Sequence, residues 1–171
     1  MPNTQPGTYA LVLASAQSAP IRIGKLGSLP LQKGFYVYIG SAHGPGGLRA
    51  RLGHHLARST RPHWHIDYLR AHADPQEVWY CYDPRPWEHL WAKCIGTQPG
   101  ASIPMAGFGA SDCACESHLY FFESHPSRTA FARSLAALYL SHPPVRVHAP
   151  QSSSLPRPKF PGPRLLPCSS F

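Results

Sequence analysis

The stretch KGFYVYIGSAHGPGGLRARLGHHL occupies residues 33–56, and its reading decides the fold. Its first part, GFYVYIG (34–40), alternates Phe35, Val37 and Ile39 with Tyr36 and Tyr38, the period-two pattern of a strand. The turn HGPGG (43–47) follows, and leucines then recur at 48, 52 and 56. That spacing makes an apolar stripe on a helix. Arg51, His55 and Arg58 recur beside it as a basic stripe. Gly46 and Gly47 stand where the helix begins, so its first N–H groups are candidates to hold an anion.

Strand signals precede this unit. TYALVLAS (8–15) is a short apolar run, and PIRIGKLG (20–27) sets Ile21 and Ile23 against Arg22. Downstream, Pro62 precedes a helical stretch, HWHIDYLRAH (63–72), and EVWYCY (77–82) reads as a strand. Pro86 opens a helix with Trp87, Leu90, Trp91 and Cys94 on one face. A loop rich in Gly, Ser and Pro covers 96–112. HLYFF (118–122) reads as a strand, and residues 126–140 as a last helix carrying Phe131, Leu135 and Leu138. The expected fold class is α/β of the α+β kind: a small, mostly antiparallel three-stranded sheet flanked by helices, over residues 5–142. Residues 143–171 are dense in Pro and Ser and lack periodicity, so they are expected to be a disordered basic tail with Arg146, Arg157, Lys159 and Arg164.

Charge is placed unevenly. The formal net charge is +8, and no Asp or Glu occurs before Asp67. That span holds Arg22, Lys25, Lys33, Arg49, Arg51, Arg58 and Arg61. A one-signed half-chain suits a polyanion, and nucleic acid is the expected partner, DNA ahead of RNA. A basic surface that only solubilises the protein is the rival reading. The five cysteines are irregularly spaced, which argues against a disulfide framework. The apolar run near the N-terminus is too short to span a bilayer and follows no basic stretch. No membrane segment is expected, and the cytoplasm is the default compartment.

Three motifs taken together resemble the GIY-YIG nuclease superfamily, in a branch of small stand-alone proteins. They stand here as YIGSAHGPGGLRARLGHH, HWHIDYL and FGASDCACESHL, in that order, preceded by GTY at the start of the first strand. The resemblance covers roughly residues 7–140. It implies that the strands of Tyr9 and Tyr38 are antiparallel neighbours, although the segment IRIGKLG lies between them. It also implies a metal-dependent endonuclease, with Tyr9, Tyr38, Arg51, His55 and Glu88 as catalytic residues and Glu88 holding Mg2+ or Mn2+. Around them Gly40, Ser41, Gly46, Gly47, Arg49, Arg58, His63 and His65 are the expected substrate contacts.

The chemistry suits these residue types. A phosphodiester gains negative charge during attack, so a cation, a positioned nucleophile and a fixed positive side chain all help. Magnesium keeps most of its waters and often takes only one or two carboxylates, so Glu88 alone can suffice. A phenol near its ordinary pKa is a poor base at neutral pH, so Tyr9 or Tyr38 would need a lowered value. Arg51 offers always-charged planar donors, and His55 is a second donor or a proton relay. Gly40 would let the substrate approach without a Cβ in the way. Each residue also has a structural reading: tyrosines as sheet aromatics, Glu88 as a helix-start acid, the glycines as a turn.

Two features stand apart from that pattern. Many members of the superfamily carry a late asparagine, whereas the only asparagine here is Asn3. A non-catalytic nucleic-acid-binding module is therefore the alternative function. SDCACESH also places Cys113, Cys115 and His118 close together, yet C-x-C is tighter than the usual zinc spacing of C-x2–4-C. Loop support is the first expectation for these residues and a zinc-stabilised interaction domain the second. His63 and Asp67, four apart, are expected to pair along a helix. The resemblance also implies that HWHIDYL and SDCACESHL line the wall of the site.

Overall fold

A computed structural model describes residues 1–150. The chain folds around strand β1 (Gly7–Ser15), which is buried along almost its whole length. Its neighbours are β4 (Gly34–Ala42) and β5 (Asp74–Tyr82), both antiparallel to it. β6 (Leu119–Phe122) extends the sheet beyond β4, and β7 (Arg146–His148) extends it beyond β5. The order is β6-β4-β1-β5-β7, an antiparallel sheet of five strands.

Helices cover both faces, and this explains why the β1 sequence is a continuous apolar run rather than an alternating one. Tyr9, Leu11 and Leu13 face a core built with α1 (Gly47–Leu56) and α2 (His65–Arg70). Ala10 and Val12 face a second core with α3 (Glu88–Gly96) and α4 (Arg128–Leu138), where Trp79, Trp91 and Phe131 pack together. Among the described residues, no helix is long and apolar enough to cross a membrane.

The mixed class and antiparallel sheet agree with expectation, but the strand inventory does not. The segment 20–27 does not join the main sheet. It forms β2 (Ala19–Ile23) and feeds β3 (Gly27–Leu31), a separate hairpin that buries Ile21, Ile23, Leu29 and Leu31 on the α1–α2 side. The excursion holds two antiparallel strands, not one, and β4 returns antiparallel to β1. The second of them is short and carries Pro30, which hides it in the sequence.

Two further corrections concern the ends of elements. The helix expected over 63–72 is limited to α2, with Trp64 at its N-cap. Asp67 accepts from the backbone N–H groups of His63 and Trp64, and its other oxygen lies 3.2 Å from His54 Nε2. The expected ring pairing of His63 with Asp67 is thus replaced by a cap. The stretch expected as tail from 143 contributes β7, in which Val147 pairs with Trp79 and Arg146 with Tyr80. Alternating RVH fits an edge strand, and flanking prolines masked it. Arg157, Lys159 and Arg164 lie outside the described residues.

Candidate active site

In the β1–β4 register Tyr9 stands opposite Gly40, and Leu11 opposite Tyr38. Side chains two apart on a strand share a face, so both tyrosines point to the α1 side. α1 begins directly after β4 and brings Arg51 and His55 over them. Glu88, in the first turn of α3, reaches the same end of the sheet. Tyr9, Tyr38, Gly40, Ser41, Arg51 and Glu88 line one cavity of about 280 Å³ together with His89, Gly109, Asp112, Cys113 and His118. Six residues expected from sequence, spread from position 9 to position 88, therefore meet in one place.

The Tyr9 hydroxyl lies 2.8 Å from His55 Nε2. Both side chains are buried. Burial lowers the His55 pKa from its ordinary 6.5 to about 3, outweighing the pull of Asp67, so the imidazole is neutral. A neutral His55 with its proton on Nδ1 accepts the Tyr9 O–H at Nε2. Burial raises the Tyr9 pKa, and the charge of a neighbouring Tyr38 phenolate would raise it further; Arg51 opposes both. Burial and then Glu88 raise Tyr38, again against Arg51. Neither phenol has the lowered value expected from sequence, because the sheet face that positions them also removes water from them.

His55 makes stability depend on pH with a definite sign. Its folded pKa lies below its unfolded one, so the unfolded chain binds the extra proton. Its contribution is complete above about pH 6.5 and is lost as pH falls toward about 3. Within that window each pH unit should cost about 1.4 kcal/mol. Urea unfolding of wild type and His55→Asn across this range is expected to show the steeper acid loss in wild type. Parallel curves would remove the buried neutral imidazole.

Glu88 is an ionised carboxylate in the cavity. Burial alone would push its pKa up, but hydrogen bonds from His118 and Ser41 prevail and hold it below the ordinary value. His118 Nδ1 lies 2.8 Å from Glu88 Oε1, and a fifth of the Glu88 side chain remains exposed. Arg51 is half-buried, with its guanidinium 4.7 Å from the centre of the Trp64 ring. His65 accepts from Gly109 N–H with its Nδ1 at 3.1 Å, so it supports the cavity wall.

Other expected contacts sit elsewhere. The first N–H groups of α1 are already bonded: Gly47 to Gly44 O, Leu48 to Gln5 O and Arg49 to Asn3 O. Gly46 and Gly47 therefore offer no free anion nest. Gly47 has φ +53°, and a Cβ there would meet the carbonyl oxygens of Thr4 and Gln5. Its glycine serves the docking of the N-terminal segment. Gly40 likewise serves the protein, because a Cβ there would lie 2.6 Å from Tyr9 Cζ. Arg58 donates to Asp74 at 2.8 Å, and Arg49 and His63 are exposed outside the cavity. The expected basic stripe thus divides into a cavity residue and a buried base on α1, and a structural ion pair at Arg58 past the end of the helix.

Sequence reasoning passed over two contributors, Arg70 and His89, and named a third, Trp64, only as part of the HWHIDYL wall. Arg70 is buried and donates to the carbonyls of His55, Leu56 and Ala73, which closes the end of α1 and holds His55 in place. A buried charge bonded only to backbone has no periodic signature. Trp64 is exposed beside Arg51 and His54 and lines a shallow neighbouring cavity. His89 joins Cys113, Cys115 and His118 in one group of donors. The order HWH and the position of His89 next to Glu88 were the available hints.

No curated protein and no solved structure matches this chain. A family model described as "Domain of unknown function DUF123" matches residues 8–139, from the second residue of β1 to the residue after α4. That span contains every side chain that lines the cavity, and the chain belongs to the DUF123 family.

Proposed function

We propose that this protein is a metal-dependent nuclease that hydrolyses phosphodiester bonds in DNA, of the GIY-YIG type. The observation that carries the reading is the convergence of Tyr9, Tyr38, Arg51 and Glu88 on one polar cavity. The residues suit Mg2+ or Mn2+: Glu88 is ionised, partly exposed and faces a space large enough for bound waters. A cation held there would supply neutralising charge to the phosphate.

The chain's own groups account for the rest. Arg51 donates to the phosphate oxygens, with its plane set by Trp64. Tyr9 gives its proton to His55 as it takes one from the attacking water, so the pair acts as a relay. A buried imidazolium is unfavourable in the resting protein, and the charge growing on the phosphate stabilises it only during reaction. Tyr38 lies beside Tyr9 with ring centres 6.4 Å apart and orients water or phosphate. Exposed Trp64 beside Arg51 provides a surface on which a base can stack. Free thiols at Cys81, Cys94, Cys113 and Cys115 suit a reducing, cytoplasmic setting.

The absence of asparagine from the cavity favours the alternative, a nucleic-acid-binding module without catalysis; the only asparagine, Asn3, bonds to Gln5. A cleavage assay separates the two. Purified protein meets labelled single-stranded, duplex, flap and branched DNA, and matching RNA, with Mg2+ or Mn2+. Metal-dependent cutting of DNA supports the nuclease, whereas salt-sensitive binding without cutting supports the module. In the same assay Arg51→Ala is expected to slow cutting about 10- to 100-fold. Arg58→Ala should change the rate less than about threefold at equal folding, because Arg58 is paired with Asp74. Equal losses would mean that both act only as general charge.

A further inference from the structure

We propose that His89, Cys113, Cys115 and His118 form a structural zinc site, with Glu88 as the carboxylate that orients His118. One donor atom from each residue lies within 4.8 Å of the others. A tetrahedral zinc with bonds of about 2.0 to 2.3 Å sets its donors about 3.3 to 3.8 Å apart. His118 Nε2 and Cys113 Sγ are already 3.4 Å apart. His89, Cys113 and Cys115 all retain solvent exposure, which leaves room for their side chains to turn. The tight C-x-C spacing that argued against zinc in sequence is offset in space, because His89 comes from α3 and the other three from the loop before β6.

The second observation is the far side of His118. Its Nδ1 is held 2.8 Å from Glu88 Oε1 while Nε2 faces the thiol. Nδ1 has the carboxylate within reach but is not aligned with it, and a small turn of the ring that lets Nδ1–H donate to Glu88 leaves the Nε2 lone pair free for a metal, the arrangement by which a second layer of residues fixes zinc-binding histidines. Two thiols and two imidazoles make a closed, structural donor set rather than an open catalytic one. Zinc here would fasten the first turn of α3 to the 113–118 loop, the two segments that carry one wall of the cavity. This inference does not rest on the nuclease reading, since it is read without DNA.

The test uses the full chain, purified reduced and without chelator. Elemental analysis is expected to find zinc at about one per chain. Protein stripped by chelation and given cobalt(II) should show the intense visible bands of a tetrahedral site and near-ultraviolet thiolate charge transfer. Cys113→Ser and His89→Ala should weaken zinc binding and change that spectrum, whereas Cys94→Ala, a thiol in the other core, should leave both unchanged. Glu88→Gln should retain zinc with an affinity lowered about tenfold or more. Reduced wild type with neither zinc nor the cobalt spectrum overturns the proposal. So does a Cys113→Ser, Cys115→Ser double variant that binds as wild type does. A Cys113–Cys115 disulfide in the native protein, with no metal bound, also overturns it.

Discussion

Glu88→Gln is expected to cut DNA about 100- to 1,000-fold more slowly than wild type while binding it about equally well. Glutamine has the size of glutamate and can still bond His118 and Ser41, so the cavity keeps its shape. What it lacks is the charge that would hold a divalent cation. Loss of a cation ligand removes charge stabilisation from the transition state without removing a positive side chain from the binding surface. The measurement is a single-turnover rate beside a binding titration at one salt concentration. A variant that cuts normally would show that Glu88 does not hold the catalytic metal. Zinc content measured on the same sample keeps the two roles of Glu88 apart. Slow cutting with zinc still bound assigns the loss to the cavity, and slow cutting with zinc lost assigns it to the wall.

Gly40→Ala is expected to impair folding and catalysis together. Gly40 has an ordinary extended backbone, so alanine introduces no backbone strain. The obstacle is Tyr9, whose Cζ would lie 2.6 Å from the new Cβ and whose hydroxyl would lie nearer still. Tyr9 is fully buried and bonded to His55, so it cannot swing aside cheaply. Overpacking of this kind costs about 1 to 3 kcal/mol. Displacing the hydroxyl by even about 1 Å is enough to cost about 100-fold in rate. Chemical denaturation of Gly40→Ala, Tyr9→Phe and the double variant tests the cause. The alanine should be less destabilising beside phenylalanine, which has no hydroxyl to displace. An equal penalty in both backgrounds would place the clash on the ring carbons rather than on the hydroxyl.

Much of the fold was legible because burial writes a period into the chain. The alternation of GFYVYIG, the leucines of α1 and the apolar run of β1 each mark their element. The site residues were legible because the motifs name them, and six of them share the cavity. The hairpin of β2 and β3 was half read, since Pro30 and its short length conceal the second strand. β7 was missed because a three-residue strand in a five-residue run between prolines carries too little pattern. Arg70 was missed, and Asp67 was given the His63 ring as its partner, because both bond backbone atoms, and backbone leaves no trace in residue identity.

The sequence by itself determined most of the elements, the one-signed charge of the first half and the order of Tyr9, Tyr38, Arg51 and Glu88 along the chain. Tertiary structure decided which glycines serve the protein's own packing, which arginines are spent on Asp74 or on carbonyls, and how His55 becomes a neutral acceptor. It also decided that His89 joins Cys113, Cys115 and His118. The reason is physical. Periodicity records whether a side chain is buried, whereas proton affinity and metal binding depend on which atoms stand a few ångströms away. Those neighbours are set only when β1, β4, α1 and α3 close on one another.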